Sequence, residues 1–351
     1  MTLRSISLFS GCGGLDLGLE RAGFKTVLAT DSEKLCAETF RTNFQNVPFI
    51  TARIGSLTRD TIKEALGGNL QNIDLISGGP PCPPFSKSRF YRKDKPRGLD
   101  DPNGWETVEG YLNMLDWVRP RAFILENVKG LAYKVHRDAL DTIITRAERI
   151  GYKVTWRVLN AADFGIPQIR ERCIVLGSLD SELAFPIPTH GKTATAELLP
   201  WVTAGDVLSD LDTVENASDE GHYAGGRHND LLKLVPPGEN YLHFTSERGH
   251  PDPKFKWRSR YWSFLLKLSP AMPSWTIQAR RSNNMGPFHW RNRILRISEI
   301  MRLQTFPDAF QLAGNIEQQW RQVGNAVPPV LGEIIGSTVA AQLRNQTRVA
   351  A

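Results

Sequence analysis

The sequence predicts an α/β protein with a Rossmann-like sheet and a second, smaller and irregular domain. The chain opens with a short apolar run (SISLF), a glycine-rich turn (SGCGG) and a helical segment, which is how nucleotide-binding α/β folds begin. Short apolar runs then alternate with helical segments as far as residue 176, as expected of a sheet covered by helices. This texture ends at FPIPT (185–189), and residues 187–276 are rich in Gly, Pro, His and Trp with little periodicity.

Composition narrows the class of protein. The 351 residues suffice for two domains, and 41% hydrophobic and 23% charged residues are ordinary for a globular chain. No apolar run approaches the ~18 residues of a membrane span, and no signal peptide is expected. The four cysteines form no CxxC pair and the seven histidines no HExxH motif, so we expect no metal site and a reducing compartment.

Charge is concentrated in two stretches. The net charge is +6, but residues 246–305 hold twelve Lys or Arg against three acids, whereas residues 187–245 hold three against nine. Residues 87–97 contain six basic residues, one acid and two aromatic residues. Concentrated positive charge is typical of a surface that binds a phosphate backbone, although a merely solvated basic face is the plain alternative.

The first units predict a ligand site at the glycine turn. Strand 5–9 leads into the turn and helix 15–22 follows, but the glycine spacing does not match the GxGxxG fingerprint of dinucleotide sites. Strand 25–30 ends at Asp31, twenty residues after Gly11, where such folds place a carboxylate on ribose hydroxyls. Asp31 is also suited to cap helix 32–43, and the two roles are compatible.

The next units predict a reactive cysteine. Strand 49–52 and helix 58–66 precede strand 73–77, which stops at two glycines before PPCPPFS. The prolines hold Cys82 on an extended segment just past a strand, where active sites of open α/β sheets lie. A thiolate there is a nucleophile, and Lys87 and Arg89 would lower its pKa. A buried small hydrophobe is the alternative for a lone cysteine.

Polar residues at the ends of later strands extend this site. A loop is expected over residues 100–110 and a helix over 107–118, ending before Pro120. The buried strand 122–128 ends in Glu126, which in a parallel sheet would share a crevice with Cys82; an acid capping helix 129–149 is the alternative.

Strands 152–159 and 172–176 follow. Between them Gln168, Arg170 and Arg172 alternate, so at strand period they share a face suited to an anionic or carbonyl-rich ligand, unless they form a surface charge ladder.

The last part of the chain returns to regular structure. Helices are predicted over residues 297–303, 317–323 and 330–343, and the last of these has an apolar face that should pack on the first domain. We therefore assign residues 1–186 and 320–351 to a first domain, and residues 187–319 to a second domain.

Six blocks in this order resemble the cytosine-C5 DNA methyltransferase family, of the bacterial or phage restriction-modification or orphan type. The blocks are LFSGCGG, GGPPCPPFS, ENV, QIRER, RISEIMRLQTFPD and GNAVPP. The resemblance covers the first half and about the last sixty residues of the chain. The irregular stretch lies where this family carries its variable target-recognition domain. The resemblance therefore implies that residues 187–319 form the target-recognition domain and hinge, and that residues 1–186 and 320–351 form the catalytic and S-adenosylmethionine-binding domain.

The resemblance implies transfer of a methyl group from S-adenosylmethionine to C5 of a flipped-out cytosine, with S-adenosylhomocysteine as product and no metal. It implies that Cys82 adds to C6 and that Glu126 holds N3 and the exocyclic amine. Arg172 would contact O2, with Arg170 close by on the phosphate side. The implied cofactor residues are Phe9, Gly11, Gly13, Gly14, Asp31, Ser56, Leu57, Pro80, Asn325 and Ala326.

The resemblance also implies partners. The substrate is double-stranded DNA, contacted by Ser86, Lys87, Arg89, Gln168, Arg280, Arg281 and His289. A monomer in the bacterial cytoplasm or nucleoid, away from membranes, meets the needs of a single flipped base, and a cognate restriction endonuclease is not required for activity. The basic loop 87–97 is expected to be mobile without DNA and to close over the flipped base.

Four positions depart from the family pattern. Pro83 and Pro84 follow Cys82 where the family commonly has Gln and a small residue. Ser32 replaces a larger apolar residue over the adenine, and Ser56 replaces an acid near its amino group. DNA contacts of the loop and cofactor affinity would differ, but no catalytic group is lost.

Three rival functions share features with this sequence. A tRNA cytosine-C5 methyltransferase has a short middle domain and a threonine in place of Ser86, so the long middle region and this serine favour DNA. A catalytically silent DNA-binding protein would be free to lose Cys82, Glu126 and Arg172, which are intact. A nicotinamide oxidoreductase is disfavoured by the glycine spacing and the cysteine loop.

Overall fold

A seven-stranded sheet covered by helices on both faces forms the centre of the protein. The computed structural model describes residues 2–81, 102–212, 224–258 and 261–350, apart from the side chains of 102, 103 and 347–350. The strands are β1 (Leu3–Leu8), β2 (Phe24–Asp31), β3 (Phe49–Thr51), β4 (Leu75–Gly78), β5 (Ala122–Val128), β6 (Lys153–Asn160), β7 (Gln168–Ile169), β8 (Glu171–Ser178), β9 (His190–Gly191), β10 (Leu199–Pro200) and β11 (Ser274–Trp275).

The described helices lie mostly between and after the strands of the large sheet. They are α1 (Gly14–Arg21), α2 (Lys34–Asn43), α3 (Arg59–Ala65), α4 (Pro102–Val118), α5 (Arg137–Ile150), α6 (Ala204–Leu208), α7 (Asn229–Leu234), α8 (Ile297–Leu303), α9 (Ile316–Asn325) and α10 (Pro329–Ala350).

The strand order places the ends of β1, β4 and β5 side by side. The order is β3-β2-β1-β4-β5-β8-β6. The first five strands in this order run parallel to one another, whereas β8 is antiparallel to β5 and β6. The carboxyl ends of β1 and β4 therefore lie next to that of β5, and ligands of open α/β sheets bind at this edge. The predicted parallel arrangement of strands 73–77 and 122–128 is confirmed, because β4 pairs in parallel with β5.

Helices cover the two faces of the sheet with separate apolar cores. On one face, α3, α4 and α5 pack through residues such as Ile62, Tyr111 and Leu140 onto Ile6 and Phe123 of the strands. On the other face, α1 and α10 contribute a second core whose buried residues include Leu15, Leu19, Leu331, Ile335 and Val339. The predicted packing of the last helix on the first domain is confirmed.

Helices α1 and α10 approach each other closely at Gly18. A Cβ atom at this position would lie 2.3 Å from the carbonyl oxygen of Pro329 and 2.5 Å from the amide nitrogen of Glu333. Such contacts leave no room for a side chain, so this glycine lets the two helix backbones touch. The proline at the start of α10 is well placed, since the first helical position needs no hydrogen-bonded N–H.

A third core joins the irregular region to the glycine turn. Most of its residues lie between Ala204 and Val323. It also includes Cys12 of the turn and Phe40 of α2. The expected boundary at residue 320 falls inside α9. The irregularity predicted for residues 187–276 is confirmed, because the described helices and strands there are at most six residues long.

Two expected element boundaries are wrong. The predicted loop 100–110 is helical from Pro102 onward, because Val108, Tyr111 and Leu115 form a buried helical face. Gly110, which favoured a loop, instead allows contact with Ile54, where a Cβ atom would lie 2.6 Å from a side-chain carbon. The predicted helix 129–149 begins as two 3₁₀ turns, and α5 starts only at Arg137.

Among the residues that the structure describes, one stretch is long and apolar enough to meet the length and composition of a membrane span. It spans Ile316–Gln346, and 56% of its most apolar window is buried within the protein. The buried side chains lie against α1 and the sheet, as in the core helix of a globular domain.

Candidate active site

The glycine turn after β1 is held open by its backbone conformation. Phe9 has φ of 53°, Gly11 of 55° and Gly13 of 90°, so three residues in five adopt the left-handed region. Positive φ in a bulky residue such as Phe9 costs energy and is typical of ligand sites. At Gly13 a Cβ atom would lie 2.3 Å from the ring of Phe44, which excludes any larger residue.

Asp31 ties the glycine turn to the end of β2. One carboxylate oxygen accepts a hydrogen bond from the backbone N–H of Gly11 at 2.9 Å, and the other accepts one from Glu33 at 2.9 Å. Burial raises the pKa of this carboxyl group, and the two N–H donors oppose that rise. The N-cap residue of α2 is Glu33 rather than Asp31, so the capping alternative is wrong in register.

A cavity of about 520 Å³ opens between the glycine turn and the segment that joins α9 to α10. Of the sequence-predicted residues, the cavity brings together Phe9, Gly11, Gly14, Asp31, Glu126, Asn325 and Ala326. Its volume is within the range of small-molecule sites. The cavity therefore joins the ends of β1, β2, β4 and β5 to one segment from near the end of the described chain.

Glu126 and Arg172 form a buried ion pair at the cavity wall. The Arg172 Nε atom donates to a Glu126 carboxylate oxygen at 2.8 Å, and both side chains are at most 10% exposed. The antiparallel pairing of β5 with β8 places the two residues close together. Arg172 also donates to the carbonyl oxygen of Glu171 at 2.8 Å, which fixes the guanidinium. The helix-capping alternative for Glu126 is wrong, because this residue lies within β5.

The backbone after β4 leaves space for this pair. A Cβ atom at Gly79 would lie 2.8 Å from a Glu126 carboxylate oxygen, so glycine is needed there. The Asn127 side chain donates to the carbonyl oxygen of Pro80 at 3.1 Å. These contacts hold the start of the cysteine segment beside Glu126. Cys82, Ser86, Lys87, Arg89 and the expected mobile loop 87–97 lie outside the described residues.

Four predicted cofactor residues do not line the cavity. Ser56 is exposed and its hydroxyl donates to the carbonyl oxygen of Arg53 at 2.8 Å, while Leu57 is buried in the core beneath α4. Gly13 and Pro80 act instead through the shape of the backbone on either side of the cavity.

Arg170 is buried and hydrogen-bonded within the protein, in contrast to its expected position on the phosphate side of the site. It is 1% exposed, and its guanidinium donates to the carbonyl oxygens of Ile277, Gly324 and Ala326 at 2.8–3.3 Å. The guanidinium donors that were expected near the flipped cytosine and its phosphate are thus occupied by backbone carbonyl oxygens. Arg170 ties the irregular region and the α9–α10 segment to the sheet.

Gln168 is also buried, in contrast to its predicted contact with DNA. It is fully buried; its amide nitrogen donates to the carbonyl oxygen of Leu303 at 3.1 Å and to Gln304 at 2.9 Å, and its oxygen accepts from the N–H of Ile277 at 3.1 Å. All the strong donors of this side chain are used within the protein.

His289 likewise lies inside the protein, in contrast to its predicted contact with DNA. It is fully buried against Trp290, with ring centroids 4.0 Å apart. Its Nε2 atom faces the carboxylates of Asp212 and Glu299 at 3.9 and 3.7 Å, and burial lowers the pKa of the imidazole to about 4. A neutral, enclosed ring offers nothing to a phosphate.

Arg280 and Arg281 remain candidates for DNA contact. Arg280 is exposed, whereas Arg281 is largely covered and donates to Glu317 at 3.0 Å. The twelve-to-three excess of basic residues around them favours an anionic partner.

The role of Arg170 predicts a large loss of stability in Arg170→Met. Methionine fills much of the space but removes the guanidinium donors from the carbonyl oxygens of Ile277 and Gly324, at about 1–3 kcal/mol each. The carbonyl oxygen of Ala326 keeps only a long bond of 3.4 Å from Gln304. We expect the free energy of unfolding to fall by about 3–5 kcal/mol in urea titrations. Arg149→Met, at the exposed end of α5, serves as control and should change it by about 1 kcal/mol at most. Equal stability of the two variants would contradict the role of Arg170 in holding the irregular region and the α9–α10 segment on the sheet.

The cavity also contains residues that the motifs did not indicate. Asp16 lies in the first turn of α1, and Arg321 of α9 pairs with Glu33 across the rim at 3.3 Å. An acid just after a glycine turn resembles an ordinary first-turn helix acid. Its position on the buried face beside Leu15 and Leu19 is the signal that would have indicated a ligand contact.

Comparisons with known proteins show the family of this chain. The family model described as C-5 cytosine-specific DNA methylase matches residues 3–341. Type II methyltransferase M.SacI of Streptomyces achromogenes is 37% identical, covering 96% of this chain and 93% of its own length. Type II methyltransferase M.NgoFVII of Neisseria gonorrhoeae is 35% identical, covering 92% and 83%.

Solved structures share the fold. The methyltransferase EhMeth of Entamoeba histolytica superposes with a TM-score of 0.64 at 16% identity, over 98% of this chain and 99% of that one. A prophage-encoded E. coli protein, provisionally described as a DNA modification methyltransferase, gives 0.71 at 23% identity over 98% and 99%. With the six motif blocks and a family match over almost the whole length, the chain belongs to the C-5 cytosine-specific DNA methylase family.

Proposed function

We propose that this protein transfers a methyl group from S-adenosylmethionine to C5 of a cytosine within a short, specific sequence of duplex DNA. The observation that carries the proposal is the buried Glu126–Arg172 pair, which lies in the wall of the cavity built around the glycine turn. This arrangement places a carboxylate and a guanidinium, both suited to a cytosine edge, at a cofactor-sized space.

The described residues fit the proposed cofactor. Asp31 holds the glycine turn, and Phe9, Asp31, Asn325 and Ala326 all line the cavity. We assign Asp31 to the ribose hydroxyls, Phe9 to the adenine, and the other two residues to the methionine part. Two carboxylate oxygens of Asp16 have no hydrogen-bond partner among the described residues, as expected where a ligand completes the site. When bound, S-adenosylmethionine supplies an electrophilic methyl group.

The protein's own groups make cytosine reactive. C5 of cytosine is a poor nucleophile, so we propose that the Cys82 thiolate adds to C6 and raises the electron density at C5. Glu126 holds N3 and the exocyclic amine and favours protonation of N3 as the adduct forms. Arg172 holds O2 and keeps Glu126 in place. Loss of the C5 proton and elimination of Cys82 then restore the ring.

The remaining surface is proposed to bind DNA as a monomer. Base flipping is required because C5 and C6 are not accessible to a cysteine inside the stack. Residues 187–319 would select the sequence, and Ser86, Lys87, Arg89 and Arg280 would contact the backbone. Trp257 is 54% exposed and Trp262 is 45% exposed in the basic stretch. Exposed aromatic and basic residues together suit nucleic acid. A restriction endonuclease is not needed for this activity.

The direct test is bisulfite sequencing of DNA from a bacterial host that lacks cytosine methylation and expresses this chain. Cytosines protected in one short sequence context would establish substrate and specificity together. Unprotected DNA in cells that contain folded protein would contradict the proposal. Protected cytosines in tRNA from the same cells would then indicate the rival substrate.

A further inference from the structure

Asp16 is a buried acid that the mechanism above does not use. It lies in the first turn of α1 and lines the cavity, although its side chain is 1% exposed. Neither carboxylate oxygen has a hydrogen-bond partner of normal geometry among the described residues. A buried carboxylate without a partner is costly, so such a group is expected to meet a cation or to be protonated.

The described surroundings supply no cation to this carboxyl group. Burial raises its pKa to about 7, opposed by the nearby Ser7 hydroxyl and reinforced by Glu20 on the next helical turn. Arg321 is the only basic side chain among the described residues of the cavity wall, and it pairs with Glu33 at the rim. Arg21 on the same helix faces Glu333 at 3.8 Å. The positive end of α1 offsets the charge only in part.

The position of Asp16 indicates which part of a ligand it meets. Just before it, a Cβ atom at Gly14 would lie 2.4 Å from the carbonyl oxygen of Val327 and 3.2 Å from Ala326. The first turn of α1 is thus packed against the segment proposed to hold the methionine part of the cofactor. Asp31, which we assign to the ribose, acts at the other side of the turn through Gly11.

We propose that Asp16 binds the α-ammonium group of the methionine part of S-adenosylmethionine. This inference rests on the proposed function, since it needs that cofactor in the cavity. The ammonium supplies the missing charge and up to three donors, and a charge-assisted hydrogen bond to a carboxylate is among the strong ones. Asp16 is therefore a cofactor-binding residue that selects the amino-acid end of the ligand.

The test is isothermal titration calorimetry of the full chain with three probes. S-adenosylhomocysteine carries the ammonium, its deaminated analogue keeps only the carboxylate, and 5′-methylthioadenosine lacks the amino-acid part. We expect wild type to bind S-adenosylhomocysteine about 10- to 100-fold more tightly than the deaminated analogue. In Asp16→Asn this preference should fall below about twofold, with 5′-methylthioadenosine affinity unchanged. Glu38→Gln, at an exposed position of α2 outside the cavity wall, is the matched control and should behave as wild type.

The outcomes separate this inference from the proposed function. If wild type binds none of the probes, the cofactor assignment fails and Asp16 with it. If wild type binds S-adenosylhomocysteine and Asp16→Asn binds it equally well, only the role of Asp16 is overturned. If the variant instead loses a preference for S-adenosylmethionine over S-adenosylhomocysteine, the carboxylate faces the sulfonium, and the ammonium assignment is wrong.

The melting temperature of Asp16→Asn gives an independent test of whether Asp16 serves the structure or a ligand. A structural acid would lower the melting temperature when replaced, whereas removing an unpaired buried charge should raise it for the ligand-free protein. Because the folded-state pKa of Asp16 is above the ordinary 3.8, wild type should lose stability as pH rises from about 4 to about 7.

The same ionisation should strengthen S-adenosylhomocysteine binding over this pH range. The charged groups of the surrounding elements are Glu20, Arg21, Asp31, Glu33, Glu126, Arg172, Arg321 and Glu333, and the titratable thiols are those of Cys12 and Cys36. These are shared by Asp16→Asn, so the difference between the two proteins isolates Asp16. Identical pH profiles for stability and binding would contradict the proposal.

Discussion

Cys82→Ala is expected to abolish methyl transfer, with a fall in rate of at least about 10⁴-fold in single-turnover assays on duplex DNA. Alanine has no group that can add to C6, so C5 stays unreactive however well the DNA and cofactor bind. The affinity for S-adenosylhomocysteine should change less than about threefold, because the described cavity is built from other residues.

Covalent trapping checks the cause of this loss. DNA carrying 5-fluorocytosine at the target position cannot release fluorine as a cation, so wild type should accumulate a protein–DNA adduct that survives denaturation. Cys82→Ala should give none. Cys173→Ala, which alters a buried cysteine of β8, should still form the adduct. Methyl transfer by Cys82→Ala at more than a hundredth of the wild-type rate would contradict covalent catalysis.

Glu126→Gln is expected to lower the methylation rate by about 10²- to 10⁴-fold. The amide keeps the shape of the side chain but loses the negative charge that pairs with Arg172 and favours protonation of N3. Arg172 is then left with an unpaired buried charge, so the melting temperature should also fall. The checks are single-turnover rates at saturating DNA and thermal unfolding.

A neighbouring carboxylate provides the control for that variant. Glu171, the next residue before Arg172, pairs with Lys129 at 2.6 Å, but both side chains are well exposed. Exposed pairs contribute little, so Glu171→Gln should retain at least about half of the activity. Similar losses in both variants would show that charge near β8, rather than the position of Glu126, sets the rate.

The sequence indicated the strands and the acids at their ends because these depend on local patterns. Short apolar runs stopped by glycine, proline or acids predict β1, β4 and β5, and the parallel order then brings Glu126 to the cavity. Such patterns indicate the type of an element and which of its side chains share one face. They carry no information on what packs against that face from distant parts of the chain.

Arg170, Gln168 and His289 show this limit. Their side chains suited a DNA contact by chemistry, but their partners come from residues 277, 303–304, 324–326, 212 and 299. Whether an arginine meets a phosphate or three carbonyl groups is decided by that long-range packing. Asp16 was missed for the opposite reason, since a first-turn acid is usually a surface feature.

The distance along the chain between the two halves of the cavity has a consequence for synthesis. Cys12 in the glycine turn contacts the carbonyl oxygen of Gln322 at 3.6 Å, across 310 positions. At about 5–20 residues per second, the ribosome takes roughly 15–60 s to span that gap. During this time α1 has no α10 to cover Leu15 and Leu19, so the nascent protein exposes an apolar surface that chaperones recognise. The glycine turn is translated first, yet its pocket closes only after residues 321–327 have left the exit tunnel, so the cofactor can take no part in the earlier steps of folding.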